Sequence, residues 1–437
     1  MKSIKPFLAK KILTHLQEIQ EWNARQLTTA PPPFYCSVDL RDSGYKIVPV
    51  DCNIYPAGFN NICPQDVRTA SSVFRVHLDR LFPAGRRPSR ILVLPESHTQ
   101  NRHYIENLYH LSEIIREAGL ECRIGWFGTE PQESPVQLIS ESNKLLKAYP
   151  IRVTEGVLSA GEFTPDLILL NNDFSGGYPA LLDKVRQPIV PSHVLGWHTR
   201  KKGEHFHHYN ALATEFARII DVDPWLFQIL TQEVDHVDFN ENEGLDRVID
   251  SAERVLSATR KAFETHEINR KPFVFVKNSS GTYGMGIMVI HSVDELKTMN
   301  RRTRNKMSVG KNKHPIHSVV IQEGVPTATL VNRLPAEPVI YLFGDELVGG
   351  FLRTHTQRGV EENLNTPGMV FRKLCMSDLR HPQAFEGAFS EESQDKDPIL
   401  ELVYGTVARI SAFAAGRELV RLQELAKQHQ NSGGPVQ

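Results

Sequence analysis

The chain of 437 residues is too long for a single hydrophobic core, so we expect two or three domains. Its 40% hydrophobic and 23% charged residues are ordinary for a soluble globular protein. A formal net charge of −1 supplies no overall field that would attract nucleic acid, which excludes a strongly basic nucleic-acid-binding protein.

Two features of the sequence bear on the compartment of the protein. No apolar run approaches membrane-spanning length and the N-terminus lacks a signal-peptide core, so we expect a cytoplasmic protein without a membrane partner. The cysteines are scattered and form no Cys-x-x-Cys pair, so neither a disulfide framework nor a zinc knuckle is indicated. We expect reduced thiols at Cys36, Cys52, Cys63, Cys122 and Cys375.

The N-terminal segment predicts a helix followed by a β-hairpin. Apolar residues at helical spacing over 4–27 indicate an amphipathic helix. Alternating residues over 37–41 and 45–50, separated by the turn residues 42–44, indicate two paired strands.

The loop at 51–62, which follows this hairpin, is rich in amides. Asparagine is common in turns, so turn chemistry is one explanation of its composition. The density of amides beside Arg41 and Asp51 also suits a site for a polar ligand, and both interpretations remain open. The amides are Asn53, Asn60 and Asn61.

Residues 90–191 alternate between apolar runs and segments of helical pattern. Strands alternating with helices predict a doubly wound α/β unit, in which ligands bind at the carboxyl ends of the strands. The polar loops 96–101 and 171–177 follow two of these strands, which favours a binding role for both loops. The predicted strands are 90–96, 122–127, 166–170 and 187–191, and the predicted helices are 104–118 and 136–148.

Four histidines and three cations lie close together at 196–209. A solvated basic loop explains them, and an anion site held by Arg200, Lys201 or Lys202 is a second interpretation. A metal site is disfavoured because no cysteine or carboxylate motif completes a tetrahedral ligand set. Residues 209–262 are largely helical and link this domain to the next one.

A glycine-rich hairpin follows at 273–290. Two apolar strands flank a loop of glycine and hydroxyl residues, and Lys277 ends the first strand. Small residues let backbone N–H groups approach an anion, and a lysine can reach the same phosphates. The loop is neither a P-loop nor a dinucleotide fingerprint, because no helix follows it. An ordinary hairpin and a nucleotide lid are both compatible with the glycines alone.

The C-terminal third continues with strands. A strand is predicted at 318–325, and a hairpin at 337–343 and 346–352 ends in Arg353. A glutamate- and asparagine-rich run follows at 359–369, and a helix is predicted at 400–425.

This order of parts resembles the ATP-grasp superfamily, in which two lobes clamp ATP. The resemblance implies that Lys277 and Arg353 are catalytic, with Arg353 neutralising the γ-phosphate. The implied ATP-binding residues are Lys277, Ser280, Gly281, Thr282, Tyr283, Gly284, Met285, Gly286, Gln322, Glu323 and Val325.

The run 363–369 resembles the Glu-x-Asn-Thr-x-Pro-Gly metal run of the D-Ala–D-Ala ligases. Asn363 stands where that family has glutamate, and Glu361 and Glu362 are displaced. The resemblance implies a Mg²⁺ site. Its implied ligands are Glu337, Glu362, Asn363 and Asn365.

The chain as a whole resembles the proteobacterial ATP-grasp type of glutamate–cysteine ligase. The motifs that carry the resemblance are 37–42, 56–61, 95–99, 196–201 and 281–286. It implies an α/β and α+β fold, with a Rossmann-like N-terminal domain followed by a two-lobed ATP-grasp module. The implied boundaries are an α/β substrate-binding domain at 1–210, a helical linker at 211–270, a lid lobe at 271–325 and a C-terminal lobe at 326–437.

The implied reaction is the first step of glutathione synthesis. ATP converts the γ-carboxylate of L-glutamate into an acyl phosphate, and the amine of L-cysteine displaces phosphate to give γ-glutamylcysteine and ADP. Two alternatives remain: an ATP-grasp ligase for other amino acids, or a non-catalytic nucleotide-binding regulatory protein, which the asparagine at 363 would favour. The sequence gives no prediction of the oligomeric state.

Residue types suggest where the amino acids bind. An α-carboxylate would pair with Arg41 or Arg200, and an ammonium group with Asp51 or Glu96. The predicted substrate-binding residues are Arg41, Asp51, Asn53, Asn60, Asn61, Glu96, His98, Asn101 and Arg200.

Overall fold

The computed structural model describes residues 3–83, 85–96, 101–127, 134–280, 286–308, 316–380 and 399–431. The strands are β1 (Tyr35–Asp42), β2 (Ile47–Asn53), β3 (Arg90–Pro95), β4 (Glu121–Trp126), β5 (Val136–Ile139), β6 (Leu145–Thr154), β7 (Val157–Ala160), β8 (Leu167–Asn171), β9 (Ile189–Val190), β10 (Thr231–Asp235), β11 (Val274–Asn278), β12 (Ile287–Ile290), β13 (Ser318–Glu323), β14 (Leu330–Val331), β15 (Leu334–Phe343), β16 (Glu346–His355) and β17 (Met369–Leu374). The helices are α1 (Lys5–Thr14), α2 (Leu16–Thr29), α3 (Val67–Leu81), α4 (Arg102–Glu117), α5 (Lys202–Ile219), α6 (Leu245–Thr265), α7 (Val293–Lys297), α8 (Arg301–Ser308), α9 (Met376–Arg380) and α10 (Ile399–Asn431).

These strands form three sheets. The terminal sheet has the order β17-β16-β15-β1-β2, with β14 beside β15. The mixed sheet has the order β5-β6-β4-β3-β8-β9, and its pairs β6-β4, β4-β3, β3-β8 and β8-β9 are parallel. The Gly-loop sheet has the order β10-β13-β11-β12.

The terminal sheet joins the two ends of the chain. β1 pairs antiparallel with β15, so that Asp39 lies opposite Val339. On its other side β1 pairs with β2, which places Asp39 opposite Asp51. The predicted N-terminal hairpin is therefore confirmed, and it shares a sheet with strands 300 residues further along the chain.

Helices cover the apolar faces of the sheets. α10 contributes the fully buried Val403, Val407 and Phe413 to a core that also holds Val38 and Leu40 of β1. α6 packs against the Gly-loop sheet around a separate core. Within the described ranges, no helix has the length and apolar composition needed to cross a membrane.

The alternating region confirms most of its predicted elements, with one correction. The strands at 90–96, 122–127, 166–170 and 187–191 and the helix at 104–118 are confirmed as β3, β4, β8, β9 and α4. The predicted helix at 136–148 is wrong.

That segment is the β5–β6 hairpin, in which Leu138 pairs with Leu146. Its burial alternates with a period of two, and Asn143 adopts a left-handed turn conformation with φ of 61°. Packing on the mixed sheet therefore outweighs the favourable helix propensity of its Leu, Lys and Ala residues.

The linker at 209–262 is only partly helical. Between α5 and α6 the chain forms β10, which pairs with β13 and so becomes the edge of the Gly-loop sheet. The predicted hairpins at 273–290 and 337–352 are confirmed as β11–β12 and β15–β16.

Two of the five cysteines correct the expectation of reduced thiols. Cys63 and Cys375 form a disulfide across a sequence separation of 312 residues, with Cα atoms 5.3 Å apart. The sequence spacing of the two cysteines does not indicate a disulfide, because only the fold brings the segment after β2 next to the end of β17. Cys36, Cys52 and Cys122 are buried free thiols, as expected.

Reducing this disulfide should lower stability, because the cross-link restricts a very long loop in the unfolded chain. We expect a loss of about 2–4 kcal/mol, seen as a lower thermal midpoint in dithiothreitol. Cys375→Ser should unfold like the reduced protein with or without reductant. Cys122→Ser, at a buried free thiol, should keep the full response to reductant. Equal midpoints for the wild-type protein in both conditions would contradict the prediction.

Candidate active site

A cavity lies between the terminal sheet and the Gly-loop sheet. β1, β2, β15 and β16 line it from one side, β11 and β12 from the other, and the start of α5 and the loop after β16 complete it. The lining residues are Asp39, Arg41, Val50, Asp51, Lys202, Phe275, Lys277, Asn278, Ile287, Glu337, Arg353, Asn363 and Asn365. Among the residues predicted from the sequence, the fold thus brings together Arg41, Asp51, Lys277, Glu337, Arg353, Asn363 and Asn365.

Strand alternation explains why polar side chains reach this cavity. Along β1, Val38 and Leu40 are buried in the hydrophobic core, whereas Asp39 and Arg41 point to the opposite face. Lys277 reaches the cavity from β11 by the same period of two, since its apolar neighbours on that strand pack against α6.

Two arginines hold one carboxylate at the floor of the cavity. Arg353 Nη1 donates to Glu337 Oε1 at 2.6 Å and to Asp39 Oδ2 at 2.7 Å. Arg41 Nε lies 2.9 Å from Glu337 Oε2. Burial opposes ionisation of Glu337, but the two guanidinium groups outweigh it and lower its pKa. Glu337 is therefore a carboxylate already neutralised by protein cations.

Asp39 is less well neutralised. Burial raises its pKa, and the nearby Glu337 and Asp51 carboxylates add to that rise against the opposing effect of Arg353. Asp39 Oδ1 and Arg353 Nε are both buried, and neither has a hydrogen-bond partner among the described residues. Buried polar atoms are rarely left unpaired, so these two mark a place for a ligand.

Two lysines face this group of carboxylates. Lys202 Nζ lies 2.5 Å from Asp51 Oδ1. Burial opposes ionisation of Asp51, but Lys202 and other nearby cations outweigh it and lower its pKa. Lys277 Nζ donates to Gln322 Oε1 at 2.6 Å and to the carbonyl oxygen of Val50 at 3.1 Å. Burial and neighbouring cations lower the pKa of Lys277 to about 7.

Arg200, a predicted substrate-binding residue, lies outside the cavity. Its Nε pairs with Glu418 Oε2 of α10 at 2.7 Å, and its Nη1 donates to the carbonyl oxygen of Cys52 at 2.6 Å. The guanidinium also contacts His205 Nδ1 at 3.1 Å. These contacts fix α5 and α10 against β2.

Three other predicted residues also lie away from the cavity. Glu323 accepts two hydrogen bonds from the buried Lys46 ammonium at 2.9 and 3.0 Å. Val325 is buried in the core. Glu362 accepts from Arg358 Nη1 at 2.8 Å and faces a neighbouring cleft.

The predicted loop residues lie at separate positions. Asn53 ends β2, and Asn60 Nδ2 contacts Asn61 Oδ1 at 3.4 Å in a short helical turn. Asn101 Oδ1 accepts a backbone N–H from the first turn of α4 at 3.2 Å. The backbone N–H of Glu96 donates to a tyrosine hydroxyl of α4 at 2.9 Å. None of these loop residues lines the cavity described above.

The glycine-rich loop begins next to the cavity. Ser280 Oγ donates to the carbonyl oxygen of Arg200 at 3.1 Å. Gly286 has φ of 61°, a conformation that favours glycine. The predicted residues Gly281, Thr282, Tyr283, Gly284, Met285 and His98 lie outside the described residues.

Sequence reasoning missed two charged residues of the cavity. Asp39 precedes Arg41 by two positions in an alternating strand, so strand periodicity could have placed both on one face. Lys202 was one of three adjacent cations, and the sequence offered no reason to choose among them.

Comparison with protein-family models decides the family. Residues 9–419 match the model of GshA, glutamate–cysteine ligase. The chain belongs to the glutamate–cysteine ligase family. It is therefore a ligase, and this membership supports glutamate–cysteine ligase activity.

A solved structure agrees with this assignment. A protein from Methylobacillus flagellatus KT, described provisionally as a gamma-glutamylcysteine synthetase, is 36% identical with a TM-score of 0.83, over 95% of this chain and 96% of that one. D-alanyl-alanine synthetase A from Vibrio cholerae matches with 10% identity and a TM-score of 0.35, over 75% of this chain and 81% of that one, which supports no statement about fold. No curated protein matches the chain at a significant level.

Proposed function

We propose that this ligase uses ATP to join the γ-carboxylate of L-glutamate to the amine of L-cysteine through an acyl phosphate. The observation that best supports this mechanism is that Lys277 of one sheet lines the same cavity as Asp39, Glu337 and Arg353 of another. A carboxylate is unreactive towards an amine, and phosphoryl transfer to it needs cations that neutralise the moving group.

We further propose that the two sheets facing the cavity are the lobes of an ATP-grasp module. The Gly-loop sheet, with its loop at 281–286, corresponds to the lid lobe, and the terminal sheet to the second lobe. The parallel strands of the mixed sheet correspond to a Rossmann-like domain. In this arrangement the C-terminal lobe contains β1 and β2, so its strands come from both the N-terminal and the C-terminal parts of the sequence.

Lys277 is assigned to the phosphates of ATP. It lies next to the last residue of β11, the strand that leads into the glycine-rich loop, and it lines the cavity. The sequence that follows, 281–286, is rich in glycine, a composition suited to backbone N–H contacts with the same phosphates. Closure of the loop would exclude water, which would otherwise hydrolyse the acyl phosphate.

Arg353 is assigned to the transferring phosphoryl group. Asp39 and Glu337 fix the orientation of its guanidinium through Nη1, while Nε remains without a partner among the described residues. An oriented cation of this kind stabilises charge that develops during transfer without having to reorganise.

The residues at the cavity fit a magnesium ion. Asp39 and Asp51 lie opposite each other on β1 and β2, and cross-strand Cβ atoms are about 4.5–5.5 Å apart. Asp39 Oδ1 is buried without a described partner, and the amides of Asn363 and Asn365 face the same space. Oxygen donors of this kind are the ligands that Mg²⁺ prefers.

We therefore propose Asp39 and Asp51 as the carboxylate ligands, assisted by the amide oxygens of Asn363 and Asn365. Glu337 is a poorer ligand because two arginines already neutralise it, and Glu362 pairs with Arg358 outside the cavity. When bound, the ion would supply positive charge that neutralises the phosphates of ATP.

The function is tested by measuring ATP-dependent phosphate release in the presence of amino acids. We expect release with glutamate and cysteine together, with γ-glutamylcysteine as the product identified by mass. Turnover with another amino-acid pair would replace the proposed substrates. Absence of ATP turnover with every amino acid would overturn the ligase mechanism.

Nucleotide binding should be accompanied by proton uptake at pH 8. Because burial lowers the pKa of Lys277 to about 7, its amine is mostly neutral at pH 8 in the free protein. Phosphates favour the charged form and raise that pKa, so binding at pH 8 takes up close to one proton. At pH 6 the lysine is already mostly charged and takes up very little.

Calorimetric titration with a non-hydrolysable ATP analogue, in buffers of different ionisation enthalpy, measures this uptake. Lys277→Arg is the matched control, because arginine keeps its charge at both pH values. The same uptake at pH 8 in Lys277→Arg as in the wild-type protein would rule out Lys277 as its source.

A further inference from the structure

Two cysteines and one aspartate form a group at the end of β17, away from the candidate active site. The ligand atoms of Cys63, Asp66 and Cys375 all lie within 4.8 Å of one another. None of these three residues lines the active-site cavity. The disulfide accounts for the position of the two sulfur atoms, but it does not account for the carboxylate beside them.

A short helical turn brings Cys63 and Asp66 together. In the turn at 64–66, the backbone N–H of Asp66 donates to the carbonyl oxygen of Cys63 at 2.9 Å. Side chains three residues apart in a turn of this kind lie on the same side. The spacing Cys-x-x-Asp is that of the Cys-x-x-Cys pairs that bind zinc, with a carboxylate in place of the second thiol.

The carboxylate of Asp66 is oriented by the segment that carries Cys375. The backbone N–H of Met376, the first residue of α9, donates to Asp66 Oδ2 at 2.8 Å. Metal-binding carboxylates are commonly fixed by an outer hydrogen bond of this kind. Cys63 and Asp66 are buried, whereas Cys375 is half-buried. Burial of a carboxylate is unfavourable unless a cation or hydrogen bonds compensate it, so a bound cation would be stabilised here.

Reduction of the disulfide makes both sulfur atoms available as ligands. A dithiol reductant supplies two electrons and two protons, the S–S bond breaks to give two thiols, and the reductant becomes a disulfide. The two Cα atoms are 5.3 Å apart. Zn–S bonds of about 2.3 Å in a tetrahedral site place two sulfur atoms about 3.8 Å apart, a separation that side chains on such neighbouring Cα atoms can reach.

A surface cleft opens beside the two cysteine segments. It is lined by Ile62, Pro64 and Gln65 next to Cys63, and by Lys373 close to Cys375. The cleft gives a reductant, a metal ion and water a path to the half-buried side of the group.

We propose that reduced Cys63 and Cys375, together with Asp66, bind a thiophilic divalent cation of the Zn²⁺ class. Two thiolates and one carboxylate are ligands that Zn²⁺ accepts, and water takes the fourth position. Binding forms two metal–sulfur bonds and one metal–oxygen bond and releases the two thiol protons to solvent. The site shares no residue with the proposed ATP site, so it stands or falls independently of the ligase mechanism.

The bound ion takes over the structural role of the disulfide. Phe371 of β17 lies opposite Arg353 in the terminal sheet, and the cross-link at Cys375 directly follows this strand. A metal ion would join the same two segments when the cysteines are reduced. The edge of the sheet beside the candidate catalytic arginine then remains anchored in both redox states.

The first test is titration of the full-length protein with Co²⁺, after reduction by dithiothreitol and removal of the reductant under argon. Thiolate ligands give Co²⁺ an intense near-ultraviolet charge-transfer absorption. We expect about one equivalent of Co²⁺ to bind the reduced protein with this absorption and to be displaced by Zn²⁺. The oxidised protein should not show the absorption. Its absence from the reduced protein would overturn the proposal.

Three variants assign the ligands. Cys375→Ser should weaken Co²⁺ binding by about a hundredfold or more, and Asp66→Asn by about tenfold or more. Asparagine can still accept the hydrogen bond from Met376, so this variant keeps the local fold. Cys122→Ser, at a buried free thiol, should bind Co²⁺ within about twofold of wild type. Unchanged affinity in Cys375→Ser would place the ion at other thiols, and unchanged affinity in Asp66→Asn would exclude its carboxylate; either result overturns the three-ligand site.

The second test is thermal unfolding of the reduced protein with and without Zn²⁺. Zn²⁺ should recover about half or more of the fall in thermal midpoint that reduction causes, because it binds the folded chain preferentially. A chelator should reverse the recovery, and Cys375→Ser should show none. A midpoint that Zn²⁺ leaves unchanged in the reduced wild-type protein would overturn the anchoring role.

Discussion

Replacing Lys277 by methionine should lower kcat/KM for ATP by about 10²–10³-fold, because the site loses the cavity amine that we assign to the phosphates and that is protonated when they bind. The fold should be retained, since methionine fills a similar volume and removes a buried charge. Binding of a non-hydrolysable ATP analogue should weaken in parallel, because the ammonium contacts nucleotide in the ground state as well. Initial-rate kinetics and calorimetry provide the two measurements.

Two further variants serve as controls for the Lys277→Met result. Lys297→Met removes a largely exposed lysine that pairs with Asp294 in α7, and it should leave kcat/KM within about twofold. Lys277→Arg should restore part of the nucleotide affinity through its charge. Unchanged affinity in Lys277→Met would remove this residue from the ATP site and leave the glycine-rich hairpin without its proposed role.

Replacing Arg353 by methionine should both abolish measurable ligase activity and destabilise the protein. The loss leaves Asp39 with an uncompensated buried charge, and Glu337 keeps only Arg41 as a partner. Removing one partner of a buried ion pair costs about 3–5 kcal/mol. Urea denaturation would measure the change in the free energy of unfolding, and phosphate release the loss of turnover.

Arg358→Met is the matched control for this substitution. Arg358 pairs with Glu362 at 2.8 Å, but both side chains are more than 40% exposed, so the stability change should stay below about 1 kcal/mol. Arg353→Lys separates folding from catalysis, because it keeps a cation beside the two carboxylates while losing the forked geometry. Wild-type turnover in Arg353→Lys would show that the guanidinium geometry is dispensable.

The sequence by itself determined the local elements and the residues tied to them. Alternation of apolar residues gave the hairpins at 37–50, 273–290 and 337–352, all of which the structure contains. Lys277 was singled out because the predicted strand ends at it beside the glycine-rich loop, whereas the role of Arg353 came from the resemblance to the ATP-grasp superfamily. In the structure the two strands extend further, to Asn278 and His355. These inferences depend on neighbours within a few residues, where strand periodicity and turn chemistry act.

Only the tertiary structure decided which of these elements face each other. Strand periodicity gives the face on which Asp39 and Arg41 lie, but β1 pairs with β15 across about 300 residues, and no local pattern encodes that choice. The same holds for Cys63 and Cys375 and for the partners of Arg200 and Lys202. When only the sequence is known, adjacent lysine and arginine residues cannot be told apart by their chemistry. Arg200, just before α5, is buried against Glu418, whereas Lys202, the first residue of α5, lies in the cavity, because side-chain direction depends on how this part of the chain packs.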